Sequence, residues 1–279
     1  MPFAIYVPFY PGHEPNLIFS REGDITDYDA YLALADDAAS AAVFDIEVPS
    51  DGPVIDAGCG GGRWLLRLHQ RGRRMIGVDL FEPVLQQIHR QAPAVPLVRA
   101  VIATLPFRSA SLAAVVSLGV VEHNEAGPDD ALREFARVLR PGGRLLVSVP
   151  YDNLVRRFVV NHLYRRYNTP WAGRGYYFVE YRFQRHEILA ALERSGFRPL
   201  SWHPHDLKPP RSVGLVADLN MLGIRFEQRD GALHLHVPPN RGWKLNGWRG
   251  WAARLLPRVS PWLTAAEILV VAEKAGGPA

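Results

Sequence analysis

A carboxylate followed by a run of glycines is the feature of this chain best suited to ligand chemistry. Residues 54–63 have the sequence VIDAGCGGGR, in which Asp56 is the carboxylate. Glycine lets the backbone turn sharply and come close to a ligand, which a Cβ would prevent. Apolar residues precede the loop and recur at helical spacing in residues 64–68, so the pattern predicts a strand, a tight turn and a helix. The first amide groups of that helix would favour a negatively charged part of a ligand.

A second carboxylate has the spacing of a nucleoside-binding site. Asp79 lies 23 positions after the first carboxylate and ends the next predicted strand, residues 75–79. A carboxylate at that place can accept hydrogen bonds from both hydroxyls of a ribose, although it can also cap the helix that follows. The dinucleotide pattern Gly-x-Gly-x-x-Gly fits Gly58 and Gly60, but Arg63 stands at its third glycine. Since that glycine permits close packing of helix on strand, a dinucleotide fits this loop poorly.

Three stretches together resemble the class I S-adenosylmethionine-dependent methyltransferases, and in particular their small-molecule branch of the methyltransferase type 11 kind. They are Asp-x-Gly-Cys-Gly-x-Gly at residues 56–62, Leu-Pro-Phe at residues 105–107 and RVLRPGG at residues 137–143. The resemblance is strong over residues 53–150 and moderate over residues 178–205. It implies S-adenosylmethionine as the cofactor.

The same resemblance implies which residues hold the cofactor. Asp56 would accept hydrogen bonds near the amino group of its methionyl part, and Asp79 would bind the ribose. Leu80 would lie against the adenine. The family usually has an acid where this chain has Val101, so packing and backbone groups would hold the adenine instead. The implied cofactor-binding set is Asp56, Gly58, Cys59, Gly60, Asp79, Leu80, Val101, Ile102, Ser117 and Leu118.

His123 is the candidate general base. It follows the predicted strand over residues 112–117, whose end the resemblance places beside the methyl group. Methyl transfer is an in-line displacement, and an oxygen nucleophile usually loses its proton as it attacks, a task that suits imidazole near neutral pH. A histidine here could instead order the loop or form a wall of the cofactor site. His234 and His236 lack a third ligand, so the sequence predicts no metal site.

The predicted elements that position these residues alternate between strands and helices over residues 53–150, which is typical of a parallel sheet covered on both faces. With later strands at residues 197–203 and 267–271, we predict an α/β fold: a Rossmann-like seven-stranded methyltransferase sheet with helices on both faces and a cap built from insertions. The first segment is predicted to hold one helix from Asp27 to about Phe44. The predicted divisions are an N-terminal cap or lid segment at 1–50, an S-adenosylmethionine-binding core at 51–205 with an insertion at 151–183, a second insertion at 206–266 as a substrate cap, and a final strand and tail at 267–279.

Aromatic and arginine side chains are concentrated in residues 1–30 and in the two insertions. Tryptophan and tyrosine provide apolar surface with a polar edge, and arginine can stack on them or hold an anion. We therefore expect these segments to cover the methyl group and to contact an aromatic, glycosylated or lipid-linked acceptor with a negative group. The tryptophans could instead form the insertion's own core or a contact between two copies of the chain. The predicted substrate-binding residues are Tyr10, Tyr151, Trp171, Arg174 and Tyr177.

Composition narrows the partners and the compartment. The formal net charge is +4 with a pI near 9.3, which leaves open a nucleic acid held along the arginine-rich insertions. Cys59 is the only cysteine, so no separate thiol remains for methylation of a pyrimidine at C5. The cysteine content, the lack of an apolar run long enough to cross a bilayer and the lack of a secretory leader predict a cytoplasmic protein.

These observations favour one function over two others. The leading hypothesis is a methyltransferase that acts on a small-molecule acceptor, most simply on oxygen. A methyltransferase of RNA or another nucleic acid is the first alternative, and a non-catalytic cofactor-binding module on the same fold is the second. The chain lacks the Asn/Asp-Pro-Pro-Tyr/Phe loop that amino-group methyltransferases of nucleic acids carry after the fourth strand, which counts against the first alternative.

Overall fold

The computed structural model describes residues 1–9, 28–36, 40–162, 175–205, 225–229, 232–236, 255, 258–263 and 265–276. Its strands are β1 (Phe3–Phe9), β2 (Pro53–Ala57), β3 (Arg74–Asp79), β4 (Leu97–Arg99), β5 (Leu112–Leu118), β6 (Leu139–Pro150), β7 (Gly175–Arg182), β8 (Phe197–His205), β9 (Arg225–Arg229), β10 (Ala232–His236) and β11 (Glu267–Lys274). Its α-helices are α1 (Tyr28–Asp36), α2 (Ala41–Glu47), α3 (Arg63–Gln70), α4 (Glu82–Gln91), α5 (Asp129–Val138) and α6 (Arg185–Arg194). Short turns of 3-10 helix lie at Val121–His123 and Pro261–Leu263, and a π-helical stretch lies at Arg156–Val160.

Among the described residues, seven strands form one sheet in the order β4-β3-β2-β5-β6-β11-β8. All of these strands are parallel except β11, which runs antiparallel to both of its neighbours. The predicted seven-stranded α/β sheet is therefore confirmed. Outside this sheet, β1 pairs with β7 and β9 pairs with β10 as two antiparallel ribbons.

Apolar cores lie on both faces of the sheet. Ile55 and Val115 face a core that includes residues of α5 and α6. Their neighbours Val54 and Ala114 face a second core, which includes residues of α2, α3 and α4. Every residue from 112 to 117 is buried, as expected for a parallel strand that is covered on both sides. The apolar sequence of residues 112–116 agrees with the place of β5 at the centre of the sheet.

The N-terminal segment differs from its prediction. The single helix expected as far as Phe44 is wrong, because α1 ends at Asp36 and α2 begins at Ala41. Ser40 precedes α2 and is buried, and its hydroxyl lies 2.7 Å from His205 Nδ1 at the end of β8. This contact holds the start of α2 against the sheet, whereas a continuous helix would have carried the serine onto a helical surface.

Two later strands are longer than their predictions. β8 continues to His205, because its last residues still pair with the start of β11. β11 continues to Lys274, because it pairs with β6 as far as Glu273 and with β8 as far as Lys274. Within the part of the chain that the structure describes, no helix has the length and apolar character needed to span a membrane.

A cluster of ion pairs fixes α2 against α3. Asp45 accepts hydrogen bonds from both terminal nitrogens of Arg67, at 2.8 and 3.0 Å, and from Arg71 at 3.1 Å. The Arg67 side chain is only 4% exposed. A guanidinium taken out of water in this way needs its anionic partner, so the pair couples the N-terminal segment to the sheet.

Asp45→Asn should therefore destabilise the fold in a pH-dependent way. Hydrogen bonds from Arg67 hold the pKa of Asp45 below its ordinary value, against the opposing effect of burial. A lowered folded-state pKa gives stability that is present above the unfolded pKa and is lost as the pH falls through the folded pKa. We expect urea unfolding to show a loss of about 1–3 kcal/mol at neutral pH, with the difference closing below about pH 4.

The matched control for this prediction is Asp51→Asn, which breaks the exposed pair with Arg140. Solvent screens that pair, so its loss should change the unfolding free energy little. Equal stabilities of the Asp45 variant and the parent at neutral pH would contradict the account of the buried pair.

Candidate active site

The turn between β2 and α3 is shaped by glycines that no other residue could replace. Gly58 and Gly60 have φ of +81° and +47°, in the left-handed region. A Cβ on Gly58 would lie 2.4 Å from Cγ2 of Val120. The backbone N–H groups of Gly58 and Cys59 both donate to the carbonyl oxygen of Val78, at 2.7 and 3.0 Å. The loop therefore folds tightly between the end of β3 and the chain that leaves β5.

Asp79 ties this loop to the start of the next helix. Its Oδ2 accepts the N–H of Gly60 at 2.9 Å, and its Oδ1 accepts the N–H of Phe81, just before α4, at 2.9 Å. The N-cap of α4 is Phe81 and not Asp79, so the alternative helix-capping role is wrong, and Asp79 instead orders the turn before the helix. A carboxylate offers about four lone-pair positions, so two remain for the hydroxyls of a ribose. Because the side chain is partly exposed, a ligand can reach them.

Apolar side chains lie beside Asp79 at the ends of the neighbouring strands. Leu80 and Val101 are 51% and 48% exposed, which is high for large aliphatic side chains. Ile102 is half-buried and packs against the core. A hydrogen bond from the N–H of Ala100 to the carbonyl oxygen of Asp79, 3.1 Å long, holds the two strand ends together. These exposed side chains provide the apolar surface that a flat base requires.

The other implied cofactor-binding residues are more enclosed. Asp56 is buried on β2, and Leu118 is half-buried at the end of β5. The Cys59 sulfur packs toward the core, 3.3 Å from where a Cβ of Gly77 would lie. The hydroxyl of Ser117 donates to the carbonyl oxygen of Ala57 at 3.0 Å. Cys59 and Ser117 therefore brace the loop with their side chains, and their contact with a cofactor stays a prediction.

The N-terminal helix lies against the glycine loop. Tyr28 on α1 donates its hydroxyl hydrogen to the carbonyl oxygen of Gly61. The guanidinium of Arg63, the first residue of α3, lies 5.9 Å from the ring centre of Tyr31. These contacts hold α1 against the glycine loop, and the role of the N-terminal segment as a cap or lid over the cofactor stays a prediction.

His123 lies on the 3-10 turn that follows β5, and its ring is held from one side. Nδ1 is 2.7 Å from the carbonyl oxygen of Val179 on β7. A carbonyl oxygen only accepts hydrogen bonds, so Nδ1 carries the proton and a neutral ring keeps its lone pair on Nε2. The side chain is 27% exposed. This is the tautomer that a general base needs, with Nε2 as the basic nitrogen of the neutral ring.

The β1–β7 ribbon forms an aromatic wall next to this turn. Glu125 receives the Tyr6 hydroxyl on its carboxylate at 3.3 Å and the Tyr181 hydroxyl on its carbonyl oxygen at 2.8 Å. The ring of Phe178 packs between those of Tyr6 and Tyr181, at centroid distances of 5.6 and 4.7 Å. The first strand of the chain and a strand from the first insertion thus meet beside His123.

Sequence reasoning missed a group of carboxyl side chains at the same place. Glu122 is 2% exposed, and its Oε2 has no hydrogen-bond partner among the described residues. Burial raises its pKa well above the ordinary value, and the charges of Glu267 and Glu180 raise it further. The adjacent residues Glu122 and His123 were the available signal in the sequence, but only the histidine was predicted to have a role. Glu267 and Glu180 reach the site through strand pairing far along the chain.

The structure describes only part of the predicted substrate site. Tyr10, Trp171 and Arg174 lie outside the described residues, and of Tyr177 only the backbone is described, paired with Val7.

Tyr151 packs in a cluster of aromatic rings that also includes a guanidinium group. Its ring lies 5.3 Å from that of Trp262, and Arg185 lies over Trp262 and Trp202 at 4.7 and 5.4 Å. Its role toward an acceptor stays a prediction. Over the described ranges, no group of three or more histidine, cysteine or acidic residues is arranged to hold a metal ion.

Comparison with known proteins places the glycine loop and the strands around it in one family. The family model described as "Methyltransferase domain" matches residues 55–147. A protein of Mycolicibacterium smegmatis named "Probable S-adenosylmethionine-dependent methyltransferase" is 37% identical over 99 residues, which cover 35% of this chain and 37% of that protein. The chain therefore spans little more than a third of the length of that relative.

Two longer matches extend the comparison. The ubiquinone/menaquinone biosynthesis C-methyltransferase UbiE of Syntrophotalea carbinolica is 32% identical over 178 residues, covering 57% of this chain and 73% of that protein. A Haloferax volcanii methyltransferase solved in complex with the Trm112 activator has a TM-score of 0.56 at 19% identity, covering 90% of this chain and 97% of that one. The structural match supports the same fold.

Asp79→Ala should weaken binding of S-adenosylhomocysteine by about 10- to 100-fold, since it removes a charged acceptor for ribose hydroxyls and the anchor of the Gly60 N–H. Asp79→Asn keeps the shape of the side chain without its charge. Its affinity for S-adenosylhomocysteine should therefore lie between those of Asp79→Ala and the parent. Titration calorimetry measures both, with Glu82→Gln on the exposed start of α4 as the control. Parent-like affinity in Asp79→Ala would remove this residue from the site.

Proposed function

The chain belongs to the class I S-adenosylmethionine-dependent methyltransferases, and we propose that it transfers a methyl group to a hydroxyl oxygen of a small-molecule acceptor. The observation that carries this proposal is the contact of His123 Nδ1 with the Val179 carbonyl oxygen, which favours the tautomer whose basic nitrogen is Nε2. A base in this state, on the turn that packs over the glycine loop, suits an acceptor that must lose a proton.

The residues of the site fit the family's cofactor. When bound, S-adenosylmethionine supplies a methyl group on a positively charged sulfur. Gly58 and Gly60 form the tight turn against which its methionyl part would lie, and Asp79 keeps lone pairs for the ribose. Leu80 and Val101 offer exposed apolar surface for the adenine.

His123 would take the proton of the acceptor hydroxyl on Nε2 as the oxygen becomes nucleophilic. The ring then gains a positive charge, which strengthens the hydrogen bond from Nδ1–H to the Val179 carbonyl. The aromatic wall formed by Tyr6, Phe178 and Tyr181 lies next to this base, and the half-buried rings of Tyr6 and Tyr181 would contact the body of the acceptor. The chain's own residues thus account for orientation and for proton removal.

A nucleic-acid acceptor is the second candidate. The arginine content of residues 151–183 and 206–266 and the tRNA methyltransferases among the relatives support it. The described groups around His123 count against it, because Glu122, Glu180 and Glu267 would repel a phosphate backbone. We therefore favour the small-molecule acceptor.

His123→Asn is the sharpest test of the base, because the amide nitrogen of asparagine can still donate toward the Val179 carbonyl while the basic Nε2 is lost. An acceptor is first found by incubating the protein with methyl-labelled S-adenosylmethionine and fractionated extract of the source cells. With that acceptor, we expect kcat to fall by about 100-fold or more. Affinity for S-adenosylhomocysteine should stay within about threefold of the parent.

Four other outcomes would each change the assignment. An unchanged kcat would reassign His123 to ordering the loop, and a change in cofactor affinity alone would make it a wall of the cofactor site. Label that appears only in RNA would favour the nucleic-acid candidate. Cofactor binding without any labelled product would favour a non-catalytic module.

A further inference from the structure

An open notch lies beside His123 where the chain leaves β5. Gly119 has φ of +67° and no side chain. Around the point where its Cβ would lie, the described atoms within 4 Å are Oε1 of Glu122, at 3.6 Å, and Oε1 of Glu267, at 3.7 Å. We call this space, bounded by these three residues, the Gly119 notch. Its polar lining consists of carboxyl oxygens from two separate strand ends.

The other contacts of the two carboxyl groups leave these oxygens turned toward the notch. Ser148 donates its hydroxyl hydrogen to the second oxygen of Glu267, Oε2, at 2.6 Å. The second oxygen of Glu122, Oε2, is buried without a hydrogen-bond partner among the described residues. A buried polar atom in this state is costly unless a ligand completes its hydrogen bonds.

The charges facing Glu122 leave an excess of negative groups. Glu180 on β7 and Glu267 on β11 both act on it electrostatically. Arg182 donates from Nε to Glu180 at 3.2 Å, and Nε2 of His123 lies 3.9 Å from Oε1 of Glu122. One guanidinium and one imidazole therefore stand against three carboxyl groups. A cation in the notch would offset this imbalance.

An ammonium group fits the notch better than a metal ion. Hard metal ions require six or more oxygen ligands or an ordered shell of water, and the notch offers two carboxyl oxygens. An ammonium group has three N–H donors and is small enough to bond both oxygens. The absence of a metal-binding arrangement among the described residues agrees with this choice.

We propose that the Gly119 notch binds a protonated amino group of the methyl acceptor, through the carboxyl group of Glu122 and Oε1 of Glu267. The inference rests on the proposed function, which identifies the surroundings of His123 as the methyl-transfer site. It names the acceptor as an amino alcohol. A protonated amine has no lone pair and is not methylated, so it would hold the molecule while the hydroxyl faces His123. This replaces the negative group that the sequence led us to expect on the acceptor.

The test uses a matched pair of probes rather than the acceptor itself. They are para-fluorobenzylammonium and para-fluorobenzyl alcohol, whose rings suit the aromatic wall and whose head groups differ in charge. Fluorine NMR titration, with saturating S-adenosylhomocysteine and a metal chelator, gives the two dissociation constants. We expect the parent protein to bind the ammonium probe at least about tenfold more tightly than the alcohol.

Charge-neutral variants locate the binding to the notch. Glu122→Gln and Glu267→Gln should each weaken the ammonium probe by about tenfold and leave the alcohol probe unchanged. Glu193→Gln, on the exposed surface of α6, removes the same charge and should change neither affinity. Since burial raises the pKa of Glu122 and the group must ionise to bind a cation, the parent's affinity should rise with pH above the ordinary range of a carboxyl group, and that of Glu122→Gln should stay flat.

Failure of this inference is separable from failure of the proposed function. Equal binding of the two probes, or a preference for ammonium that survives both notch variants, would overturn the notch as an amine site, whatever the enzyme methylates. Binding of S-adenosylhomocysteine, measured in the same samples, reports on the proposed function alone. A labelled acceptor that lacks an amino group would also contradict the inference while leaving the methyl transfer intact.

Discussion

The hydrogen bond between the Gly60 N–H and the Asp79 carboxylate is the interaction on which the rest of the site depends. Together with the bonds from Gly58 and Cys59 to Val78, it joins the end of β2 to the end of β3. The joined loop is tight enough that Val120 packs directly over Gly58. The turn that carries His123 is thereby held at the carboxyl edge of the sheet, where ligands of open α/β sheets bind.

Segments that are distant in the chain complete the site around His123. The β1–β7 ribbon supplies the Val179 carbonyl that sets the tautomer of His123. The antiparallel strand β11 lies next to β6 and brings Glu267 toward Gly119, while the ribbon also brings Glu180. Crowding these carboxyl groups around buried Glu122 costs stability, and a folded protein keeps such an arrangement where ligand binding offsets the cost.

The cofactor-binding loop and the central strand could be predicted from the sequence, because the signals for them are local. The glycine loop, Asp79 and the apolar run of β5 follow from spacing and periodicity over a few residues. Glu267 and Glu180 could not be found that way, since their approach to Glu122 depends on which strand lies between β6 and β8 and on the pairing of β1 with β7. The break between α1 and α2 likewise depends on the contact of Ser40 with His205, 165 residues apart.

The central claim is that the loop anchored by Asp79 holds S-adenosylmethionine and not a dinucleotide. Titration calorimetry of the unmodified protein with S-adenosylhomocysteine, and separately with the oxidised nicotinamide dinucleotides, tests it most directly. The account predicts one site for S-adenosylhomocysteine with a dissociation constant of about 1–10 μM, roughly 7–8 kcal/mol of binding free energy, and no measurable heat from either dinucleotide. Tighter binding of a nicotinamide dinucleotide than of S-adenosylhomocysteine would contradict it.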